Sequence, residues 1–230
     1  MDELAPGTAL DATGMQVPGA RNGAPLEIVE RLGELPYGDI YRARIDAIPV
    51  LATLIDPALV GDPRAMEWVR DSLGRAASVE HRNLASIHGI AGRSRGGGRV
   101  DDPCIVVQGH SDGRQARQWI ADRAARGRTV EIETARTVIG HLCNALQVLH
   151  GVMVHGYVGV DTVWLSTTGR VLLSDAGLGA LVPRSRRFAR MHAAGRLPSL
   201  APEQLGPGGA IGPGTDVFGL ATLFIELVTG

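Results

Sequence analysis

The side chains of this chain that could carry chemistry are few, and lysine is not among them: all 23 basic residues are arginine. Any mechanism that needs an ammonium group is therefore excluded, whether a lysine Schiff base, a lysine general base or a Walker-type phosphate loop. The seven histidines form no His-x-x-x-His pair, and Cys104 and Cys143 have no neighbours at ligand spacing. No zinc site is expected from them. The sequence also holds no Gly-x-Ser-x-Gly nucleophile elbow. What remains is Asp175 before Ala176-Gly177, His155 two residues before Tyr157, a glycine-bearing turn from Gly33 to Gly38, and five arginines without an acid between Pro183 and Arg196. A carboxylate in a turn can hold a divalent cation or simply cap the turn. An arginine run can dock an anion or a partner, or lie solvated as a loop.

Those groups must be positioned by the elements around them. Segments 26–32, 40–45 and 50–55 are β-prone, with turn material from Gly33 to Gly38 between the first two. A helix is expected over 63–79, started by Asp62 as N-cap and Pro63 in the first helical position. Segments 84–90 and 103–108 read as strands flanking a flexible hairpin loop, Arg93-Ser-Arg-Gly-Gly-Gly-Arg99, since a phosphate cradle would need a helix directly after it. Beyond Gly113 the pattern turns helical. Segment 134–150 repeats Val138, Ile139, Leu142, Leu146 and Leu149 at three- and four-residue steps, and 216–230 repeats Val217, Leu220, Leu223, Phe224 and Leu227. Between them, 163–165 and 171–173 form a small hairpin.

Five strands with one helix, followed by a mostly helical half, give an α+β, two-lobed layout. Hydrophobic residues at 44% suffice for a sizeable core, and 24 acids against 23 bases leave a net charge of -1. That balance gives no support for nucleic-acid or membrane-surface binding. The two cysteines sit in apolar stretches and read as reduced core residues of a cytoplasmic protein. No signal peptide or membrane insertion is expected, because the most apolar stretch contains Glu226 and is short. Residues 1–24, rich in Gly, Pro and Ala, read as a disordered tail.

These patterns line up, in order, with one family. Leu32-Gly-Glu-Leu-Pro-Tyr-Gly-Asp-Ile-Tyr-Arg-Ala43 looks like a nucleotide-covering loop, and Val50-Leu-Ala-Thr53 like the strand that normally ends in a catalytic Lys. His81-Arg-Asn-Leu84 is similar to the turn after the first helix. His155-Gly-Tyr-Val-Gly-Val-Asp-Thr162 falls on the catalytic loop, Asp175-Ala-Gly177 on the metal-binding triplet, and Ala201-Pro-Glu203 and Asp216 on the end of the activation segment and the next helix. Over residues 26–230 the chain resembles a eukaryotic-type Ser/Thr protein kinase of bacteria. The resemblance implies an N-lobe over 25–109 and a C-lobe over 110–230. Because the family's lobe continues through more helices, it also implies that the chain is a fragment, or a truncated lobe whose apolar last helix a partner covers.

The resemblance also assigns roles, and most of them fall on unsuitable residues. The phosphate-anchoring Lys falls on Thr53 and its acidic helix partner near Ser72, with Asp71 beside it and Glu67 one turn earlier. The catalytic Asp falls on Tyr157, a poor base at an ordinary phenol pKa, and the second metal ligand, an Asn, on Thr162. The Arg that docks a phosphorylated activation segment falls on Gly156. Leu35 replaces the second loop glycine beside Pro36, which leaves Gly33 and Gly38 as a weak nucleotide loop, and Ala176 replaces a Phe. Asp175 is retained, as a residual Mg²⁺ ligand or as a turn cap. His155, Gly177, Glu203 and Asp216 are expected to maintain the fold, Glu203 with an Arg beyond Gly230 and Asp216 with catalytic-loop backbone. Arg184, Arg186, Arg187 and Arg190 form a candidate docking surface, with Ser185 and Ser199 as modifiable hydroxyls.

The expected function is that of a pseudokinase: an inactive kinase-like domain acting as a regulatory scaffold. Its partner would be another protein, either an active kinase or a regulatory target, and no cofactor is expected. The alternatives are a nucleotide sensor, or a divergent ATP- and Mg²⁺-dependent transferase using Asp175 for metal and Arg42 or Arg44 for phosphate.

Overall fold

A computed structural model describes residues 15–16, 25–93, 103–110, 113–195, 199–205 and 210–230. The first part is an antiparallel sheet of β1 (Met15–Gln16), β2 (Glu27–Leu35), β3 (Gly38–Ile45), β4 (Ile48–Ile55), β5 (Ile87–Arg93) and β6 (Ile105–Gly109). Its spatial order is β1-β5-β6-β4-β3-β2. Of the segment read as a tail, Met15–Gln16 pairs with β5; its other residues, like the glycine-rich loop at 94–99, lie outside the described residues. Strand β4 runs through the middle with buried residues on both faces. Its period of two sets Leu51, Thr53 and Ile55 toward the helix layer, and Ala52 and Leu54 with Tyr41, Ile105 and Val107 on the other side.

The helix layer is α2 (Pro63–Ala77), preceded by the short α1 (Pro57–Val60). Asp62 caps α2 by accepting from the Ala65 N–H at 2.9 Å, with Pro63 at the first helical position. Its face Val69, Ser72, Leu73 and Ala76 is buried.

The second part opens with β7 (Arg114–Gln115) and α3 (Ala116–Ala124), then α4 (Ile132–Leu149) and the hairpin β8 (Val163–Leu165) and β9 (Val171–Leu173). It ends with α5 (Arg186–Ala193) and α6 (Pro213–Thr229). Val138, Leu142, Leu146 and Leu149 of α4 meet Leu220, Leu223 and Leu227 of α6 in one apolar cluster, with Ile139 and Phe224 packed at its edge. A two-layered strand-and-helix part followed by a mainly helical part is the expected α+β architecture.

Four expectations need correction. Val217 is 60% exposed, because the buried stripe of α6 runs through Leu220, Leu223 and Leu227 and leaves it outside. Cys143 is exposed on the outer face of α4, while Cys104 is buried as expected. Gly33, Glu34 and Leu35 belong to β2 rather than to a turn, which narrows to Pro36–Tyr37. The arginine run is partly helical, since Phe188 and Met191 give α5 an apolar side against the core. No helix among the described residues is long and apolar enough to cross a membrane.

Candidate functional site

Asp175 lies where β4, β6 and the loop after β9 meet, 1% exposed and at φ +65°, a conformation unusual for any residue but glycine. Both carboxylate oxygens are occupied. Oδ1 accepts from Thr53 Oγ1 at 2.9 Å and from Gln108 Nε2 at 2.8 Å, and Oδ2 accepts from Ser174 Oγ at 2.8 Å. The Gln108 amide closes a two-point clamp by accepting from the Asp175 N–H at 2.7 Å. Ser174 Oγ is itself oriented by Trp164 Nε1, at 3.1 Å. Three neutral donors thus hold one buried carboxylate.

One turn of α2 meets the same triplet. Ser72 Oγ donates to the Gly177 carbonyl at 2.8 Å. Gly177 has φ +92°, and a Cβ there would lie 3.2 Å from the Ser72 carbonyl, so this approach requires glycine. Thr53 and Ser72, the positions given by resemblance to a Lys and an acid, therefore each hold the triplet through a hydroxyl.

The loop before β8 is equally tied. The His155 ring accepts from the Tyr157 N–H at 3.2 Å, so its Nε2 carries the proton and donates to the Ser174 carbonyl at 2.8 Å. Asp216, fully buried at the start of α6, accepts from the N–H groups of His155 at 2.9 Å and Gly156 at 2.7 Å, with His150 Nε2 also at 2.8 Å. Thr162 Oγ1 donates to the Tyr157 carbonyl at 2.9 Å and accepts from the Gly159 N–H at 3.2 Å. Glu203 accepts from Thr215 Oγ1 at 2.6 Å, which lowers its pKa.

Tyr157 is buried and hydrogen bonded through its hydroxyl to Asp161 at 3.3 Å. Asp161 is held by Arg117 through two bonds, of 2.5 and 2.8 Å. Burial first, then the Asp161 charge, pushes the Tyr157 phenol well above its ordinary pKa, so it stays protonated at neutral pH. The Tyr37 ring meets Tyr157 edge-on at 6.0 Å and is fully buried. Burial and the nearby Asp175 charge raise Tyr37 likewise, although its hydroxyl lies outside hydrogen-bonding geometry. Leu35 and Tyr37 share an apolar cluster with Tyr157, Leu178, Leu181, Val182 and Met191, so the turn between β2 and β3 is folded into the space in front of Asp175.

Helix α5 fastens this closure. Ser185 caps it, accepting from the Arg187 N–H at 3.1 Å, and donates to the Pro36 carbonyl. Arg187 reaches Asp39 at 3.1 Å, Asp56 at 3.3 Å and Glu34 at 4.0 Å. Of the four docking arginines, Arg187 is thus turned inward, and Arg184 lies over the Trp68 ring at 5.6 Å. Arg186 and Arg190 are exposed, whereas Ser185 and Ser199 are buried. Gly38 is required by packing, since a Cβ there would fall 1.9 Å from the Leu54 carbonyl, whereas Gly33 has ordinary clearance. Arg42 pairs with Glu30 at the sheet surface.

Sequence reasoning did not single out Gln108, Ser174, Asp161 or Arg117. Gln108 carried the one available signal, a lone amide in an otherwise apolar strand.

No family model matches the chain. Among curated proteins it is 26% identical over 196 residues to the serine/threonine-protein kinase PknL of Mycobacterium tuberculosis, covering 83% of this chain and 46% of PknL. It is 25% identical over 183 residues to the CBL-interacting protein kinase 3 of Oryza sativa, covering 79% of this chain and 39% of that protein. The chain thus spans about half the length of the curated relatives it matches, or less. The crystal structure of the M. tuberculosis PknI kinase domain superposes with a TM-score of 0.68 at 21% identity, over 96% of this chain and 76% of that one. With these relatives and this superposition, the chain is a domain of protein kinase fold.

Proposed function

We propose that this domain works without phosphoryl transfer, as a regulatory module that binds another protein. The observation that carries this reading is the buried Asp175 carboxylate, whose two oxygens already accept from Thr53, Gln108 and Ser174. A Mg²⁺-nucleotide fits this arrangement poorly. The metal would have to displace three donors at 2.8–2.9 Å, no cation stands at Thr53 to meet a phosphate, and Leu35 and Tyr37 fill the adjoining space. Tyr157, held protonated, is unsuited to accept a proton from a substrate hydroxyl. Loss of a cation or base at these steps removes several kcal/mol of transition-state stabilisation. The retained tethers of His155, Gly177 and Asp216 support selection for shape. The partner class, a protein kinase or its regulatory target, follows from the same resemblance, and no nucleic-acid or membrane role is proposed.

The test is a thermal shift with ATP, with and without Mg²⁺, beside a radiometric phosphoryl-transfer assay. No shift and no transfer are expected. A Mg²⁺-dependent shift lost in Asp175→Ala would instead establish a nucleotide sensor, and transfer of the γ-phosphate would establish an ATP- and Mg²⁺-dependent kinase.

A further inference from the structure

A cavity of about 560 Å³ opens between the turn after α2, the end of β6 and the β8–β9 hairpin. None of Thr53, Gln108, Ser174 or Asp175 lines it. Its walls are joined by hydrogen bonds to backbone carbonyls. Asn83 Nδ2 donates to the Val171 carbonyl at 2.7 Å, the Leu173 N–H to the Asn83 carbonyl at 2.8 Å, and the Ala85 N–H to the Leu173 carbonyl at 2.8 Å. Residues 82 and 170 each precede a stitched position, so Arg82 and Arg170 rise from adjoining stretches of backbone, and both line the cavity. Neither guanidinium forms an ion pair or hydrogen bond among the described residues, and Glu80, the one acid lining the cavity, pairs with neither. A third wall is pinned by the Gly109 N–H, which donates to the Ser86 carbonyl at 2.8 Å and brings His110 alongside. A side chain at 109 would meet Ser86 Oγ at 2.5 Å, so the Ser86 hydroxyl would have to turn aside to admit one. His110 is in turn set by its edge-on contact with Trp164 at 5.2 Å.

We propose that this cavity binds a phosphomonoester carried on a peptide of a partner protein. Two like charges rooted side by side repel each other unless an anion lies between them. Guanidinium forks match the oxygens of a phosphate in paired hydrogen bonds, and the His81 imidazole, whose Nδ1 accepts from the Asn83 N–H at 3.2 Å, presents its other nitrogen in the same lining. The floor is apolar, with Leu84 and Leu172 buried beneath it, and the cavity has the size of sites that take an extended ligand rather than a bare ion. That combination selects a phosphorylated residue together with an apolar neighbour on the same strand of peptide. The proposal holds whichever way the phosphoryl-transfer assay falls, because it shares no residue with the Asp175 site.

The test uses the whole chain and two fluorescein-labelled pools of degenerate peptides, one centred on phosphoserine and one on serine, read by fluorescence polarisation. The phosphoserine pool is expected to bind at least tenfold more tightly. Arg82→Ala and Arg170→Ala should each weaken it about tenfold, the size of one lost charge-assisted contact. Both residues are exposed, so unchanged melting of these variants is expected and separates lost binding from lost fold. Arg186→Ala, in the arginine run, should leave binding unchanged. Equal binding of the two pools, full binding in the Arg82→Ala, Arg170→Ala double variant, or an equal loss in Arg186→Ala would overturn the proposal. Inorganic phosphate competing as well as the phosphopeptide pool would overturn the peptide as its source.

Discussion

Thr53 is a hydroxyl in full burial, and what it donates to is a carboxylate that no cation pairs with among the described residues. Thr53→Val keeps the shape of the side chain and removes that bond to Oδ1 of Asp175. A hydrogen bond to a charged group contributes about 1.5–3 kcal/mol, so urea unfolding should show a loss of that order. A smaller loss would mean that Gln108 and Ser174 hold the carboxylate by themselves. Glu226 sets a pH dependence. It is half-buried in α6, and burial first, with the Asp161 charge against the opposing Arg117, raises its pKa. The folded chain therefore keeps this proton at pH values where the unfolded chain has released it, so stability falls as pH rises through the ordinary glutamate range, about 4.3, and on through the raised value. Relative to the parent, Glu226→Gln should become progressively more stable between pH 4 and 7 in urea titrations. A constant offset would contradict this origin.

Elements differ in how far their own residues announce them. Helix α4 is written in its apolar period, and Leu142→Ala, at a fully buried position, should cost about 2–5 kcal/mol in urea unfolding. The cap at Asp62-Pro63 and the β8–β9 hairpin were equally legible, because their determinants lie within a few residues of one another. Helix α5 was not, since only Phe188 and Met191 mark its inner side, and the partners that hold Arg187 and Ser185 lie about 150 residues away. Likewise, Asp175 could be named from its triplet, whereas Gln108, 67 residues earlier, could not be joined to it by any local pattern. Arg187→Ala should free the closure rather than unfold the domain. Amide exchange is expected to quicken together in α5 and in the β2–β3 turn, and quickening in α5 alone would show that the two are not coupled.

At the scale of the whole molecule, one apolar cluster draws on both parts of the chain: Leu35, Tyr37 and Leu51 from the sheet, Tyr157, Leu178 and Met191 from the helical part. A core shared in this way predicts one cooperative transition, with tryptophan fluorescence and far-ultraviolet dichroism falling at the same urea concentration. Tyr157→Ala should separate the two curves by loosening the shared cluster first, and coincident curves in that variant would place the cohesion elsewhere. The position of the two thiols has a practical consequence of its own. Cys104 is buried, its pKa pushed up to about 11 by desolvation, while Cys143 stands exposed on the outer face of α4, and the chain has no other cysteine. In a chain that also lacks lysine, a maleimide dye would attach at one chosen place, giving a ready-made reporter on the rigid helix α4 from which partner binding can be followed without engineering the surface.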